Sequence, residues 1–318
     1  SVTMVSLRRL AELKQEKGID KPQPIAAPVI GQRPALVLLV DFGDLAHDSV
    51  STAGMYNNLL FCYRWCTEPG SMFQYFGEAS HGKLDIYPRG MCDWQQTGQP
   101  HDYYADADGI PGTDDDYGFG SFPQNAQGLV VDAVLLADPF INFRTYALGG
   151  QVHGLFVVHA GRGAETDPSH ADWIWSHQWE LGPHAVTADW VTVDEYVMCP
   201  EYTYDPGDSS IGVFCHEYAH LLGLPDLYDT DYSSAGVGDW SLMASGSWNL
   251  GGTSPAYPDA WCRTQLGWAT PQVPDDPFED DVFVGDVASY NSVYQLWTRN
   301  ETGPEYFLVE KRRWISND

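Results

Sequence analysis

Two histidines and a glutamate share one short apolar segment, VFCHEYAHLLGLPDLYD at residues 213–229. His216 and His220 are four residues apart, which in an α-helix is about 400° of rotation, so both imidazoles project from one face. Two imidazoles placed in this way can hold one Zn²⁺ through nitrogen. Glu217 lies beside such a metal rather than on it, where a general base for a zinc-bound water belongs. The spacing therefore predicts a hydrolytic zinc centre.

The flanks of this segment argue against two histidines exposed on a helix surface. The sequences IGVFC before it and LLGL after it are apolar, which predicts a buried helix. A charged Glu217 in such a setting costs several kcal/mol unless it has a partner. A metal centre explains why these polar residues lie in an apolar segment, whereas a purely structural role does not.

The chain after the helix must supply a third protein ligand, because catalytic zinc takes three and leaves one position for water. Gly223 tolerates positive φ and Pro225 cannot continue a helix, so the chain reverses here. The nearest candidates beyond the turn are Asp226, Tyr228 and Asp229. The glycine would allow Asp226 to bend back toward the histidines.

Composition limits the function classes that the chain can serve. The 318 residues are 43% hydrophobic and 14% aromatic, which is enough for a buried core in one large domain. The net charge of −28 excludes nucleic acid and anionic membranes as partners, since phosphate would be repelled. No segment approaches the roughly 20 apolar residues of a membrane span. We expect a soluble, acidic protein whose oligomeric state is open.

The elements that must position the histidine segment alternate along the chain. Residues 35–44 and 154–161 are apolar runs typical of central strands buried on both faces, and 83–88 resembles an edge strand. Residues 54–66 and 129–139 have helical spacing. Strands that alternate with helices indicate an α+β layered domain with a mixed sheet and long helices.

The two ends of the chain differ from the middle in their sequence patterns. Residues 1–34 read as an N-terminal helix followed by a Pro-rich linker, interpreted as the remnant of a pro-region. Residues 35–270 are assigned to the catalytic domain. Residues 271–318 contain two segments, VYQLWTRN and EYFLVEKRRW, that alternate as strands do, and predict the start of a β-rich C-terminal appendage.

An acidic loop at residues 105–120 is a second candidate metal site. Its aspartates are Asp106, Asp108, Asp114, Asp115 and Asp116. Such a cluster can wrap Ca²⁺, which prefers six to eight oxygens, but the spacing does not match an EF-hand loop. A solvated surface loop is the alternative.

The six cysteines raise the question of disulfides. They are Cys62, Cys66, Cys92, Cys199, Cys215 and Cys262. An even number predicts disulfides in an oxidising compartment, and free buried thiols are the alternative.

The zinc segment resembles a known motif. Its pattern HExxHxxGxxD is similar to the metzincin motif HExxHxxGxxH with Asp in place of the last histidine. Metzincins also have a methionine turn beneath the metal, and Met243 in DWSLMASGSW stands at a plausible distance downstream. The chain as a whole resembles the M6 family of secreted bacterial zinc peptidases, of the immune inhibitor A type. The similar blocks are 36–44, 75–86, 156–165, 172–179, 216–229, 240–249, 259–268 and 305–312.

The resemblance implies a metzincin-like peptidase domain that is made with a pro-region, exported, and cleaves internal peptide bonds. It assigns the zinc ligands to His216, His220 and Asp226, with Asp226 preferred over Asp229, and the catalytic base to Glu217. It also makes structural Ca²⁺ a second candidate cofactor.

Four more residues lie in the other family-like blocks, namely His159, Glu165, His170 and His177. They could bind a second cation or line the cleft, or they could hold loops in place through hydrogen bonds.

The leading hypothesis is a secreted zinc endopeptidase that acts on proteins or peptides. The alternative from another class is a catalytically idle metzincin-like module for binding or adhesion, which the intact Glu217 disfavours. A third hypothesis is a zinc hydrolase of another amide, such as an exopeptidase.

Overall fold

The structure is a computed structural model that describes residues 2–21, 25–63, 70–229, 233–274, 282–297 and 303–313. Parts of the predicted linker, of the helix at 54–66 with Cys66, and of the C-terminal region lie outside these residues. None of the described helices is long and apolar enough to cross a membrane.

Seven α-helices, six short 3₁₀ helices and eleven strands make up the regular structure of the described residues. The helices are α1 (Val2–Lys17), α2 (Ala53–Phe61), α3 (Met72–Ala79), α4 (Asp102–Ala105), α5 (Ala126–Ala137), α6 (Ile211–Leu221) and α7 (Ala260–Gln265). The strands are β1 (Gly31–Asp41), β2 (Leu84–Gln96), β3 (Ala147–Leu148), β4 (Gln151–Val152), β5 (Leu155–Arg162), β6 (His177–Glu180), β7 (Val186–Ala188), β8 (Val191–Val193), β9 (Glu195–Tyr202), β10 (Tyr294–Leu296) and β11 (Phe307–Val309).

The central sheet has five strands in the order β2-β1-β5-β9-β6. The first four pair in parallel, whereas β6 runs antiparallel to β9 at the edge of the sheet. Strands β3, β4, β8 and β7 form a second small sheet, and β10 pairs with β11. The histidine helix α6 contacts both β9 and the edge strand β6 of this sheet.

Strand β1 is buried on both faces because its side chains alternate between two cores. Val37 and Leu39 pack in one cluster with residues of α2, α3 and α6, whereas Leu36 and Leu38 pack in another with residues of α5. The prediction of a central strand at 35–44 is confirmed. The sheet therefore holds α6 on one face and α5 on the other.

Most of the predicted elements are present. Helices α2 and α5, strand β5, the edge position of β2 and the antiparallel pair β10–β11 agree with the sequence patterns. The mixed class of helices and sheets is confirmed, while the domain boundaries stay predictions. Arg263 of α7 is buried and pairs with Glu310 at 2.6 Å, so residues on both sides of position 270 are in contact.

The disulfide prediction is wrong for four of the six cysteines. Cys92, Cys199, Cys215 and Cys262 are free thiols and buried. Cys199 and Cys215 lie in the core between β9 and α6. Burial raises the pKa of both thiols well above the usual range, which keeps them protonated. These cysteines serve as small apolar core residues.

Candidate metal centre

Helix α6 divides its side chains between the core and a cleft. Phe214, Tyr218 and Ala219 pack in the core below the sheet. His216 and Glu217 face the cleft. Of the apolar flanks of the sequence motif, Phe214 and Leu224 are buried in this core, whereas Val213 lines the cleft.

The end of α6 fixes the orientation of the second histidine. Gly223 has φ of 101°, which a residue with a side chain rarely adopts, and the chain reverses there. The carbonyl of Leu224 consequently lies 2.8 Å from Nδ1 of His220. The turn that ends the helix thus holds the ring of a residue within that helix.

A second turn, at residues 241–243, fixes the first histidine. The carbonyl of Leu242 lies 2.8 Å from Nδ1 of His216, and the carbonyl of Met243 accepts a hydrogen bond of 2.7 Å from the amide of Leu227. Met243 itself is fully buried in the core. A carbonyl oxygen can only accept, so Nδ1 of both histidines carries the ring proton and both Nε2 atoms present lone pairs.

Asp226 brings a carboxylate oxygen to these two lone pairs. Its Oδ1 lies 3.1 Å from Nε2 of His216 and 3.3 Å from Nε2 of His220, and the two Nε2 atoms are 3.2 Å apart. Its Oδ2 accepts a hydrogen bond of 2.8 Å from the hydroxyl of Tyr228. Asp229 is engaged elsewhere, with an oxygen 2.7 Å from the amide of Ser234. Of the two aspartates considered, the structure brings Asp226 to the histidines.

This triangle of donor atoms fits zinc. Tetrahedral zinc with ligands at about 2.0–2.1 Å separates its ligand atoms by about 3.3–3.4 Å, close to the three observed distances. Among the described residues no hydrogen-bond donor satisfies Oδ1 of Asp226, which is buried. Burial lowers the pKa of His216 and His220, but the Asp226 carboxylate outweighs it and raises both above the usual value. The centre therefore favours positive charge between these atoms.

Glu217 lies next to the triangle without joining it. Its side chain is buried, and within the described part of the chain Oε2 has no hydrogen-bond partner. Burial and the nearby carboxylate of Asp20 raise the pKa of Glu217 well above the usual range, so its carboxylate is a stronger base than an exposed one. It faces a cleft of about 280 Å³ that Glu165, Tyr228 and Trp248 also line.

Sequence reasoning missed two residues near the centre, Asp20 and Lys14. Donor atoms of Asp20, Glu217 and His220 all lie within 4.8 Å of one another. Lys14 forms an ion pair with Asp20 and lines the cleft. No local pattern marks either residue, because both reach the centre from a segment about two hundred positions away in the sequence.

The four additional candidate residues of the other family-like blocks do not all lie at the metal centre. Nδ1 of His159 lies 3.0 Å from the carbonyl of Ala160, and His177 contacts the Tyr196 hydroxyl at 3.2 Å. The ring of His170 stacks on a tryptophan near the surface. Only Glu165 of the four lines the cleft, and the Ser176 hydroxyl donates to it at 2.6 Å. The contacts of the three histidines support a role in holding strands and loops.

The acidic loop gathers some of its carboxylates. Oxygens of Asp106, Asp108 and Asp115 lie within 4.8 Å of one another. Asp106 accepts a hydrogen bond from the amide of Gly109 at 2.9 Å, and Asp115 accepts one from the amide of Asp108 at 3.0 Å. Asp114 pairs instead with Arg9 of α1. Calcium in this loop stays a prediction.

Comparison with known proteins places these residues in a family context. Residues 30–269 match the family described as Immune inhibitor A peptidase M6, catalytic domain. The chain is 30% identical over 305 residues to the pre-pro-metalloprotease PrtV of Vibrio cholerae serotype O1, covering 81% of this chain and 32% of that protein. It is 29% identical over 271 residues to immune inhibitor A of Bacillus thuringiensis subsp. alesti, covering 69% of this chain and 37% of that protein. The chain thus spans about a third of the length of these relatives.

Proposed function

Because the chain belongs to the M6 family of immune inhibitor A peptidases, we propose that it acts as a zinc-dependent endopeptidase. Its substrates are proteins and peptides, and it acts outside the cell after export. The observation that carries the proposal is the convergence of two histidine nitrogens and one aspartate oxygen beside a buried glutamate, whose Oε2 has no hydrogen-bond partner among the described residues.

The three residues of the triangle, His216, His220 and Asp226, would hold the zinc. Bound zinc supplies Lewis-acid chemistry, since it makes a water more acidic and polarises the scissile carbonyl. The carbonyls of Leu242 and Leu224 keep the histidine rings in the tautomer that ligation needs.

Glu217 moves the protons of the reaction. Its raised pKa suits a base that accepts a proton from the attacking water at Oε2 and then donates it to the nitrogen of the leaving amine. An idle binding module has no use for a buried carboxylate oxygen without a partner, which costs free energy. The arrangement of Glu217 therefore favours catalysis over the adhesion alternative.

The sheet edge supports cleavage of internal bonds. Strand β6 is the edge strand beside the centre, and both backbone groups of Gln178 point outward, where they bond Asp20. An edge strand can pair with an extended peptide that continues past the centre in both directions. Cleavage of internal bonds is the reaction that such a peptide would undergo.

The test combines metal analysis with cleavage of quenched peptides whose two termini are blocked. We expect one zinc per chain, internal cleavage, and in Glu217→Ala retention of zinc with turnover lower by about 10²–10⁴-fold. Substantial residual cleavage in that variant would place the base elsewhere. Cleavage of unblocked peptides alone would indicate an exopeptidase, and zinc binding without cleavage by any variant would favour the idle module.

A further inference from the structure

One acidic side chain in the wall of the cleft takes no part in the metal centre. Glu165 follows strand β5 and lines the cleft together with His216 and Glu217. The donor triangle takes its carboxylate from Asp226, and the proposed base is Glu217. The presence of a further carboxylate beside these groups therefore needs a separate explanation.

The carboxylate of Glu165 is held in one position by the residue that precedes strand β6. Oε1 accepts a hydrogen bond of 2.6 Å from the hydroxyl of Ser176, and Oε2 accepts one of 3.3 Å from the Ser176 amide. A side chain at Gly163 would collide with this carboxylate, so the glycine leaves room for it. Each carboxylate oxygen has two lone pairs. Glu165 can therefore accept further hydrogen bonds from a group that enters the cleft.

The negative charge of Glu165 has no cationic partner within the described ranges of the chain. Lys14, which lines the same cleft, forms its ion pair with Asp20 instead. Burial raises the pKa of Glu165 above the usual value, although the hydrogen bonds from Ser176 favour the charged form. A cation that enters the cleft would stabilise the charged form further.

The other walls of the cleft suit the stem of a long cationic side chain. Trp175 and Trp248, both partly exposed, line the cleft of about 280 Å³ together with Glu165. Lysine and arginine pack their methylene groups on apolar surface while their charged ends reach a polar partner. The faces of tryptophan rings also attract cations. The cleft thus combines an aromatic surface with a fixed carboxylate.

We propose that Glu165 selects substrates with a lysine or arginine next to the scissile bond, and that its carboxylate binds the cationic end of that side chain. The inference rests on the proposed function, because it assumes that this cleft holds the peptide that is cleaved. Arginine would bind through two parallel hydrogen bonds and lysine through its ammonium group. An acidic side chain at the same position of the substrate would be repelled.

The test compares Glu165→Gln with the matched control Asp229→Asn, which makes the same change of carboxylate to amide elsewhere in the cleft wall. Glutamine keeps the length of the side chain and an oxygen that can accept from Ser176, but it carries no charge. The zinc-loaded full chains are given quenched peptides with blocked ends. These peptides carry lysine, norleucine, acetyl-lysine or glutamate at each position that flanks the cleaved bond in turn. The readout is the ratio of kcat/KM between the lysine and norleucine peptides.

We expect the parent to prefer lysine over norleucine by about 10- to 100-fold, which corresponds to one hydrogen bond to a charged group. Glu165→Gln should lose most of this preference, chiefly through slower cleavage of the lysine peptide. Asp229→Asn should keep the ratio, because Asp229 contacts serines of its own loop. Damage to the fold would slow the cleavage of every peptide alike, whereas loss of this ratio alone identifies a specificity residue.

The remaining outcomes separate this inference from the proposed function. An unchanged ratio in Glu165→Gln, or a parent without a preference for lysine, overturns the inference and leaves the peptidase in place. If no chain cleaves any peptide, the peptidase is overturned, and fluorescence polarisation of labelled peptides on zinc-loaded Glu217→Ala tests the inference. Tighter binding of the lysine peptide that Glu165→Gln removes from this variant supports the inference, and equal binding of lysine and norleucine overturns it.

If Glu165→Gln does not fold, the acetyl-lysine peptide provides the test without it. Acetylation removes the charge of the lysine and leaves its stem. A preference for lysine over acetyl-lysine that Asp229→Asn retains supports the inference. Equal cleavage of the two peptides by the parent, or loss of the preference in Asp229→Asn, overturns it.

Discussion

The end of helix α6 and the sheet strands β5 and β6 each contain buried histidines, and only those of α6 are arranged for a metal. His220 of the first region and His159 and His177 of the second are all nearly inaccessible to solvent. In both regions Nδ1 contacts a backbone carbonyl, at 2.8 Å for His220 and at 3.0 and 2.6 Å for the other two. Burial and a fixed ring are therefore not what distinguishes the histidines of the candidate metal centre.

The difference lies on the other side of the ring. Nε2 of His220 meets a second Nε2 and the carboxylate of Asp226, whereas Nε2 of His177 meets the Tyr196 hydroxyl. The pKa values diverge accordingly: burial lowers the pKa of His159 to about 3, while Asp226 outweighs burial and raises the pKa of His220. A carboxylate that converges on unprotonated nitrogens is the feature that separates the two regions.

Removal of that carboxylate should give the largest effect, because it makes the first region resemble the second. We expect Asp226→Ala to lower zinc affinity by about 100-fold or more and to abolish cleavage. Asp229→Ala is the control, since Asp229 contacts serines of its own loop, and its effect should be milder. Metal competition and peptide cleavage measure both. Zinc held firmly by Asp226→Ala, or lost from Asp229→Ala, would contradict the assignment.

The buried histidine His159 of the second region should make the free energy of unfolding depend on pH. His159 has a pKa of about 3 in the fold against about 6.5 when unfolded, so above pH 6.5 it is neutral in both states and contributes nothing. As the pH falls below 6.5, the unfolded chain binds a proton that the folded chain refuses. The free energy of unfolding should therefore drop, by about 2 kcal/mol for this residue at pH 5.

Urea unfolding of the parent and of His159→Phe at pH 7.5 and pH 5 measures this contribution. The loss of stability between the two pH values should be about 2 kcal/mol smaller in the variant. Contributions of the metal centre are common to both proteins and cancel in the difference. An equal pH dependence would show that His159 accepts a proton in the folded state.

The smallest effect should come from substitution of Met243. Its backbone carbonyl, rather than its side chain, makes the hydrogen bond that holds the turn beneath the centre. Met243→Leu conserves volume, so we expect a cost under about 1.5 kcal/mol, a lowered melting temperature, and unchanged zinc content and activity. Met198→Leu on β9, equally buried and paired in register with His177, is the matched control in the other region. Loss of zinc from Met243→Leu alone would mean that the side chain supports the ligands directly.

The sequence predicts the parts of this site that depend on neighbours along the chain. The apolar run of β1, the one-turn spacing of His216 and His220, and the reversal at Gly223 are local, and the structure contains all three. The pairing of Asp20 with Gln178 joins residues 158 positions apart and has no local signature. The free cysteines were mispredicted for a similar reason, since their burial between sheet and helix is decided by tertiary packing.

The two backbone carbonyls that hold the histidine rings also affect how fast a bound ion would dissociate. Leu224 and Leu242 belong to turns that are joined to each other where the amide of Leu227 meets the carbonyl of Met243. A histidine can swing away from the centre only if its turn opens, and one turn cannot open freely while it is bonded to the other. Dissociation of the proposed metal would therefore be a local unfolding event, with a rate set by the opening of residues 224–227 and 241–243 together. We therefore expect the proposed ion to exchange slowly because of the backbone, separately from the strength of its three proposed ligands.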